Sequence, residues 1–359
     1  MNSKIYNFLR KDINLLGEYE IPYSEGMIKL DAMENPYDLL VKFKTFSEDI
    51  ETVESNVNLN RYPQSNCENL KITLHKYYGL TENIDSIIGN GSDELIQLIC
   101  LAFLKPENIL LFPKPTFSMY KKISEVLGLK YEEVPLLDDF SLDMDLMVNK
   151  IEELNPAIIF LAYPNNPTGN LWKKDNINLI LNKTNGVVVL DEAYSAFSGK
   201  SFVNEIEKND NLLVMKTFSK IGLAGLRLGY LFGEKTLIKN FNKLRLPFNV
   251  NSVSQKICEL YIDNKTLNDQ INRLIKNRGL MLEEMKNIKN LIVYNSDANF
   301  ILFRVTKGSS NEVYTKLLSD NILVKNMTNS PGLVNCMRVT VGSQSENEKF
   351  IQSLKNSVN

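Results

Sequence analysis

The sequence has almost no histidine and little cysteine. His75 is the only histidine in 359 residues, and it is predicted to lie on an exposed helix face. The cysteines are scattered without metal-type pairing: Cys67, Cys100, Cys258 and Cys336. A histidine-based triad and a zinc site are therefore excluded, and no metal is expected. A chain of this length needs no disulfide, so the cysteines are predicted to be reduced thiols in the cytoplasm.

Long hydrophobic runs and a charge excess are also missing. The apolar stretch 95–104 is too short to span a bilayer, and residues 1–10 contain no run of signal-peptide length. Lys plus Arg number 41 against 43 for Asp plus Glu, a net charge of -2. Such a balance gives no broad electrostatic footprint for nucleic acid or an anionic membrane. We expect a cytoplasmic protein with neither partner.

Apolar residues are plentiful and occur in a pattern typical of α/β proteins. They make up 43% of the chain, enough for a large core. Runs without polar alternation indicate strands buried on both faces, hence a mostly parallel sheet wrapped by helices. They are 108–112, 157–162, 187–190 and 211–215. Each run ends in a polar or Gly/Pro-rich segment, and these segments are expected to converge on one crevice.

The pattern changes after about residue 251. A long charged helix is predicted over 263–289, followed by strand-like segments at 298–304 and 336–341. This α+β texture predicts a smaller C-terminal domain. The predicted organisation is an N-terminal arm (1–40), a large domain (41–250) and a small domain (251–359).

Lys220 lies in a loop after a predicted strand. Gly222, Ala224 and Gly225 follow it and let the backbone pack closely. A lysine that forms a Schiff base must be partly desolvated, so that some of it is neutral near pH 7. Taken alone, Lys220 is more simply a solvated loop lysine. The presence of the acid and the amide described next, in the same sequence, favours the catalytic interpretation.

Asp191 ends a predicted buried strand, where a carboxylate is costly unless it meets a cation or several donors. The protonated nitrogen of a pyridoxal phosphate ring is such a cation. The alternative is helix capping. Tyr194 follows three residues later, where its hydroxyl can reach the ring's phenolate oxygen, and Asn166 is held between two prolines. Packing and a plain turn are the alternatives for these two.

A phosphate site is predicted where the segment 89–96 enters a helix. The amides of Ser92 and Asp93 then lie at the helix N-terminus, which binds phosphate through free N–H groups and the helix dipole. Capping without a ligand explains this segment equally well. Ser219 and Arg227 are candidates to complete a phosphate cup by charge-assisted hydrogen bonds.

Two further side chains point to ligand contacts. Arg338 lies in the last apolar strand, where an arginine is unusual unless it meets an anion, and its guanidinium fork suits a carboxylate or a phosphate. Phe117 follows a predicted strand and either stacks on a cofactor ring or belongs to the core.

These motifs together resemble the fold-type-I pyridoxal-phosphate aminotransferases, and among them the histidinol-phosphate aminotransferases. The likeness covers nearly the whole length of the chain and rests on nine segments: 28–37, 61–63, 89–96, 115–120, 164–169, 191–194, 217–229, 298–300 and 336–342. The order and number of these segments make a chance similarity implausible.

The resemblance implies a role for each motif residue. Lys220 would carry pyridoxal 5'-phosphate as a Schiff base and Asp191 would contact the pyridine nitrogen. Tyr194 and Asn166 would contact the phenolate oxygen. The stacking residue would be Phe117, and the phosphate would be surrounded by Ser92, Asp93, Thr217, Ser219 and Arg227. In the family that the chain resembles, a tyrosine in a segment like 61–63 reaches the phosphate in the neighbouring subunit. Tyr62 therefore implies a homodimer with shared active sites.

The resemblance also implies the substrates. Histidinol phosphate and 2-oxoglutarate would give imidazole acetol phosphate and glutamate, as in histidine biosynthesis. Arg338 would bind the carboxylate or phosphate of either substrate, with help from Tyr23, Asn166 and Lys325. The chain departs from the family pattern twice: Lys325 replaces the arginine of many relatives, and the spacing from Lys220 to Arg227 is one residue shorter than in most.

Three other functions remain open from the sequence. An aromatic amino acid aminotransferase would share every cofactor residue. A lyase similar to threonine-phosphate decarboxylase would share the fold and the phosphate recognition but release carbon dioxide. A cofactor-dependent regulator usually carries an added DNA-binding domain, and the chain shows neither room nor a basic helix for one.

Overall fold

The computed structural model describes residues 22–37 and 59–358, together with the single positions 13 and 16. A seven-stranded sheet forms the centre of the larger part, in the order β2-β8-β7-β6-β5-β3-β4. Its strands are β2 (Ile84–Gly89), β3 (Ile109–Lys114), β4 (Lys130–Pro135), β5 (Ile158–Ala162), β6 (Val187–Asp191), β7 (Leu212–Thr217) and β8 (Gly229–Glu234). Only β8 runs antiparallel to its two neighbours, so the sheet is mostly parallel.

Every residue of β5, β6 and β7 is buried, because helices cover both faces of the sheet. The covering helices are α1 (Glu68–Tyr78), α2 (Ser92–Ala102), α3 (Ser118–Leu127), α4 (Met144–Leu154), α5 (Lys174–Lys183), α6 (Lys235–Asn242) and α7 (Ser252–Tyr261). Alternate strand residues enter different cores: Ile159 belongs to the core that includes side chains of α1, α4, α5 and α7, whereas Phe160 belongs to the core that includes side chains of α2, α3 and α6. The predicted strands and the mostly parallel, helix-covered sheet are confirmed.

A smaller four-stranded antiparallel sheet follows, in the order β12-β13-β10-β9. Its strands are β9 (Leu291–Val293), β10 (Phe300–Val305), β12 (Lys325–Asn326) and β13 (Cys336–Thr340). Three helices accompany it: α8 (Lys265–Lys286), α9 (Ser310–Ser319) and α10 (Gln344–Ser357). The predicted small α+β unit is confirmed, and α8 lies within the predicted charged helix.

The segment 22–37 packs on this smaller unit. Its strand β1 (Ile28–Lys29) pairs in parallel with β11 (Ile322–Leu323), and Leu30 and Met33 enter the apolar core of the smaller sheet. The segment is thereby fixed beside the carboxyl edge of the large sheet. The predicted end of the arm, at residue 40, lies outside the described residues.

The predicted boundary at 250/251 does not coincide with a change of core. Ile257 and Cys258 of α7 and Leu267 at the start of α8 belong to the large core, whereas Leu274 belongs to the small one. The change of core therefore falls within α8.

The prediction that His75 lies on an exposed helix face is wrong. The ring is half-buried on α1, with Nε2 3.2 Å from the Ser86 hydroxyl oxygen and its edge toward Phe232. Burial lowers the pKa of His75. The four cysteines are buried free thiols. In the described ranges no group of three or more His, Cys, Asp or Glu side chains is arranged to hold a metal ion, and no helix there is long and apolar enough to cross a membrane.

Candidate active site

A cleft of about 670 Å³ lies at the carboxyl ends of the central parallel strands. The smaller sheet and the segment 29–34 close it from the other side. The sequence-predicted residues that line it are Ser92, Asp93, Phe117, Asn166, Asp191, Tyr194, Thr217, Ser219, Lys220, Arg227, Lys325 and Arg338. All the predicted site residues except Tyr23 and Tyr62 thus lie around one cavity, as expected for strands that end at a common edge.

Lys220 lies in the turn after β7, where Gly222 has a φ of 124°, a conformation that side-chain-bearing residues rarely adopt. Lys220 Nζ donates to the carbonyl oxygen of Ala32 at 3.2 Å. Burial, and secondarily the positive charge of Arg338, lower the pKa of Lys220 to about 8. A minor fraction of the amine is therefore neutral near pH 7, far more than for a lysine of ordinary pKa, as a nucleophilic lysine requires.

Asp191, the last residue of β6, is buried. Its Oδ2 accepts a hydrogen bond from the Tyr120 hydroxyl at 2.8 Å, and its Oδ1 accepts one from the Ala193 amide at 3.1 Å. In the described part of the chain it forms no ion pair with a lysine or arginine. Burial raises the pKa of Asp191 to about 6. A cationic ligand group at this place would stabilise the carboxylate.

Asn166 and Tyr194 form a polar wall beside the lysine. Asn166 Nδ2 donates to the Tyr194 hydroxyl at 3.2 Å, and Arg338 Nη1 donates to Asn166 Oδ1 at 2.5 Å. The ring of Tyr194 lies 5.9 Å from Lys220 Nζ. An oxygen atom of a bound ligand can approach the amide and the phenol together.

One end of the cleft is suited to a phosphate. Helix α2 begins at Ser92 after Gly91 (φ 89°), and no described side chain caps its N-terminus. Gly229 lies against this terminus, since a Cβ built on it would approach the Ser92 amide nitrogen to 2.8 Å. Arg227 Nη2 lies 3.4 Å from Asp93 Oδ2 at the same end. Uncapped amides at a helix start, together with an arginine, are a typical phosphate cradle.

Two hydroxyls complete this end of the cleft. The Thr217 and Ser219 hydroxyl oxygens are 3.0 Å apart, and both residues are buried. Phe117 lines the same cleft and meets the Tyr120 ring edge-on, with 5.6 Å between the ring centroids. A buried acid, a lysine of lowered pKa and a phosphate cradle around one cavity fit the pyridine nitrogen, the aldehyde and the phosphate of pyridoxal phosphate.

Two predicted site residues do not line this cleft. Tyr23 is 77% exposed, and its hydroxyl bonds Glu25, although the adjacent Pro22 borders the cavity. Tyr62 is 82% exposed and stacks on Phe248, with 4.7 Å between the ring centroids. Neither tyrosine lines the cleft of its own chain.

Several residues around the site were missed in the sequence. Tyr120 lies within the segment 115–120, which contributes to the resemblance. Its hydrogen bond to Asp191, however, joins residues 71 positions apart. Lys216 and Glu192 form a buried ion pair of 2.7 Å directly next to Thr217 and Asp191. The sequence signal for this pair was a lysine inside an apolar strand and a glutamate at the end of the neighbouring strand. The wall formed by residues 29–34 lies within the segment 28–37, which contributes to the resemblance but was assigned no site residue.

Comparison with known proteins gives concordant results. The family model "Aminotransferase class I and II" matches residues 25–354. Histidinol-phosphate aminotransferase 2 of Nitrosococcus oceani is 41% identical over 360 residues, covering 98% of each chain. The histidinol-phosphate aminotransferase of Vesicomyosocius okutanii is 39% identical over 350 residues, covering 97% of each.

The fold is also found in solved structures. The histidinol-phosphate aminotransferase of Sinorhizobium meliloti, solved in complex with pyridoxal-5'-phosphate, matches with a TM-score of 0.82 at 19% identity. The match covers 98% of this chain and 97% of that one.

Proposed function

The chain belongs to the class I and II aminotransferases, and we propose that it exchanges the amino group of histidinol phosphate with 2-oxoglutarate in histidine biosynthesis. The products are imidazole acetol phosphate and glutamate. The observation that carries the proposal is the pairing of Lys220, whose pKa is lowered to about 8, with the buried acid Asp191 in one cleft. Full-length similarity to relatives named for this reaction supports the substrate assignment.

The cofactor is pyridoxal 5'-phosphate, which serves as an electron sink when the bond at the substrate's amine-bearing carbon is broken. Lys220 Nζ would hold the cofactor covalently. It would also be the general base that takes the proton from the amine-bearing carbon of the substrate. Its position on a glycine turn beside Ala32 keeps it inside the cleft.

Asp191 would hold the ring nitrogen and favour its protonated form by providing a fixed, buried negative charge. The Tyr194 hydroxyl and the Asn166 amide would hold the phenolate oxygen, and Phe117 would pack on the ring. The phosphate would be held by Ser92, Asp93, Thr217, Ser219 and Arg227, since these residues line the end of the cleft where the α2 amides are uncapped.

Arg338 binds the anionic group of each substrate. Histidinol phosphate has no carboxylate beside its amine, so the site must accept a phosphate from one substrate and a carboxylate from the other, and a guanidinium pairs with both. Lys325 lies opposite Arg338 in the small sheet and lines the same cleft, which supports an auxiliary role. Tyr23 is assigned to the phosphate of the substrate.

The active unit in this proposal is a cytoplasmic homodimer in which Tyr62 reaches the partner's cofactor phosphate. The exposure of Tyr62 outside its own cleft supports this assignment. Mixing the Tyr62→Ala and Lys220→Ala variants tests it, because each mixed dimer would contain one intact site. Activity should return when the two inactive variants are refolded together, and a mixture as inactive as its components would contradict the shared site.

Absorbance titration of the holoenzyme tests the reaction itself. Glutamate should remove the visible band of the bound cofactor, and imidazole acetol phosphate should restore it. A band unmoved by either compound would refute transamination of these substrates. Turnover of phenylalanine in preference to histidinol phosphate would favour the aromatic enzyme, and release of carbon dioxide from threonine phosphate would favour the lyase.

A further inference from the structure

We propose that Tyr120 is a positioning residue for Asp191, holding its carboxylate in the orientation and ionisation state that the cofactor nitrogen needs. The inference rests on the proposed function, because it assigns Tyr120 a role through the acid of that site. No motif in the sequence assigned Tyr120 a role.

The geometry leaves the Tyr120 side chain little freedom. Its ring is fully buried and stacks on Phe160, with 4.7 Å between centroids and 11° between planes. Phe117 closes the other approach, edge-on at 5.6 Å. The hydroxyl therefore points to one partner, Asp191 Oδ2, at 2.8 Å.

The chemistry of the bond favours the ionised acid. A carboxylate only accepts hydrogen bonds, and here the Tyr120 hydroxyl and the Ala193 amide each donate to a different oxygen. Hydrogen bonds to a charged form lower the pKa of an acid, which opposes the effect of burial on Asp191. The other charged groups acting on this carboxylate are Asp93, which raises its pKa, and Lys220, which lowers it.

The phenol is a permanent donor. Burial, followed by the nearby negative charge of Asp191, raises the pKa of Tyr120 well above its usual value. The hydroxyl therefore stays protonated at neutral pH. Since Phe117 packs on the same ring, Tyr120 also connects the residue assigned to the cofactor face with the residue assigned to the cofactor nitrogen.

The test is Tyr120→Phe in the holoenzyme. Loss of one hydrogen bond to a charged group should lower kcat about 10- to 100-fold, with little change in KM. The pH midpoint of the cofactor's visible absorbance should rise, because a less ionised Asp191 leaves the ring nitrogen less often protonated. The matched control is Tyr230→Phe, which removes another buried hydroxyl, bonded at 2.9 Å to Tyr78 and away from the cleft. It should leave kcat and the midpoint unchanged.

A double-variant cycle with Asp191→Asn separates positioning from general packing. If Tyr120 acts through Asp191, adding Tyr120→Phe to Asp191→Asn should not shift the midpoint further, since contacting residues are not additive. Equal shifts in both backgrounds, or a Tyr120→Phe variant with wild-type kcat and midpoint, would overturn the proposal.

The glutamate half-reaction is a single turnover whose rate constant is measured without histidinol phosphate, and Tyr120→Phe should lower that rate constant as well. A wild-type enzyme that responds to glutamate and ignores histidinol phosphate would therefore refute the substrate assignment alone. The Tyr120 result would still be decisive in that case.

Discussion

Arg338 Nη1 donates to Asn166 Oδ1 at 2.5 Å, so that the strand β13 of the small sheet meets the turn after β5 of the large one, 172 positions earlier in the chain. The other terminal nitrogen of Arg338, Nη2, donates to the carbonyl oxygen of Asp31 at 2.8 Å. One guanidinium thereby joins the large sheet, the small sheet and the segment 22–37 at the cleft. Its charge also lowers the pKa of Lys220, secondarily to burial.

Arg338→Lys should weaken substrate binding. An ammonium is a point charge and cannot form the two parallel hydrogen bonds of a guanidinium. We expect KM for glutamate and for histidinol phosphate to rise about 10- to 100-fold, with the cofactor absorbance of the resting enzyme retained. Steady-state kinetics on both substrates measure the effect. The matched control is Arg304→Lys, at a position whose guanidinium bonds Cys336 Sγ and does not line the cleft, and equal KM changes in the two variants would contradict the assignment.

Schiff-base formation by the cofactor-free enzyme should depend on the pKa of Lys220. Only the neutral amine attacks an aldehyde, and burial lowers the pKa of Lys220 to about 8. The rate with added pyridoxal phosphate should therefore rise with pH up to about 8 and level off above it. Stopped-flow absorbance measures the rate. Lys220→Ala should give no visible band while its circular dichroism stays native, and a rate still rising steeply at pH 10 would indicate an ordinary solvated lysine.

Asp191→Asn should stabilise the cofactor-free enzyme at neutral pH while abolishing turnover. Burial raises the pKa of Asp191 from 3.8 in the reference state to about 6 in the fold. The native state therefore binds the proton more tightly than the unfolded state, and stability falls as pH rises from about 4 to 6. At 1.36 kcal/mol per pKa unit, the charged acid costs about 3 kcal/mol at pH 7, which Asn does not incur.

Denaturant unfolding between pH 4 and 7 measures this effect. The gain from Asp191→Asn should shrink as the pH approaches 4, where the acid is neutral in the native state and partly protonated in the unfolded state. Asp139→Asn is the control in which the change in unfolding free energy has the opposite sign. The Ser141 hydroxyl and amide lower the pKa of Asp139, so removing this charge should destabilise the protein. A gain at pH 4 equal to the gain at pH 7 would show that ionisation is not the cause.

Lys216→Met should destabilise the protein strongly. The variant leaves the buried carboxylate of Glu192 without its cation, which is 2.7 Å away, and loss of one partner of a buried pair costs about 3 to 5 kcal/mol. Urea unfolding measures the loss. The matched control is Lys183→Met, which removes an exposed pair with Glu152 and should cost less than about 1 kcal/mol. Similar losses in both variants would contradict the role of burial.

Much of the fold was predictable from the sequence because the central strands are covered on both faces. Runs such as 187–190 and 211–215 are apolar without alternation, a pattern that a doubly covered sheet requires. Since parallel strands end at one edge, the residues after them had to converge. Asp191, Asn166 and Lys220 were found in this way.

The sequence was a weaker guide where a residue's environment depends on distant segments. His75 was expected to be exposed, yet it is half-buried against Ser86 of the neighbouring strand. The boundary expected at 250/251 rested on a change in composition and stays a prediction, and the buried side chains of α7 belong to the large core. Composition reports the average polarity of a segment and does not identify the surface on which it packs.

The sequence by itself determined the covered sheet, the family resemblance and the amine, acid and amide of the cleft, since each depends on local residue order and on strand periodicity. The tertiary structure alone decided that Tyr120 bonds Asp191, that Arg338 bonds Asn166, and that the Ala32 carbonyl accepts from Lys220. These contacts join residues 71, 172 and 188 positions apart. Partners at such separations are set by how the small sheet and the segment 22–37 pack against the large sheet, and no local pattern encodes that packing.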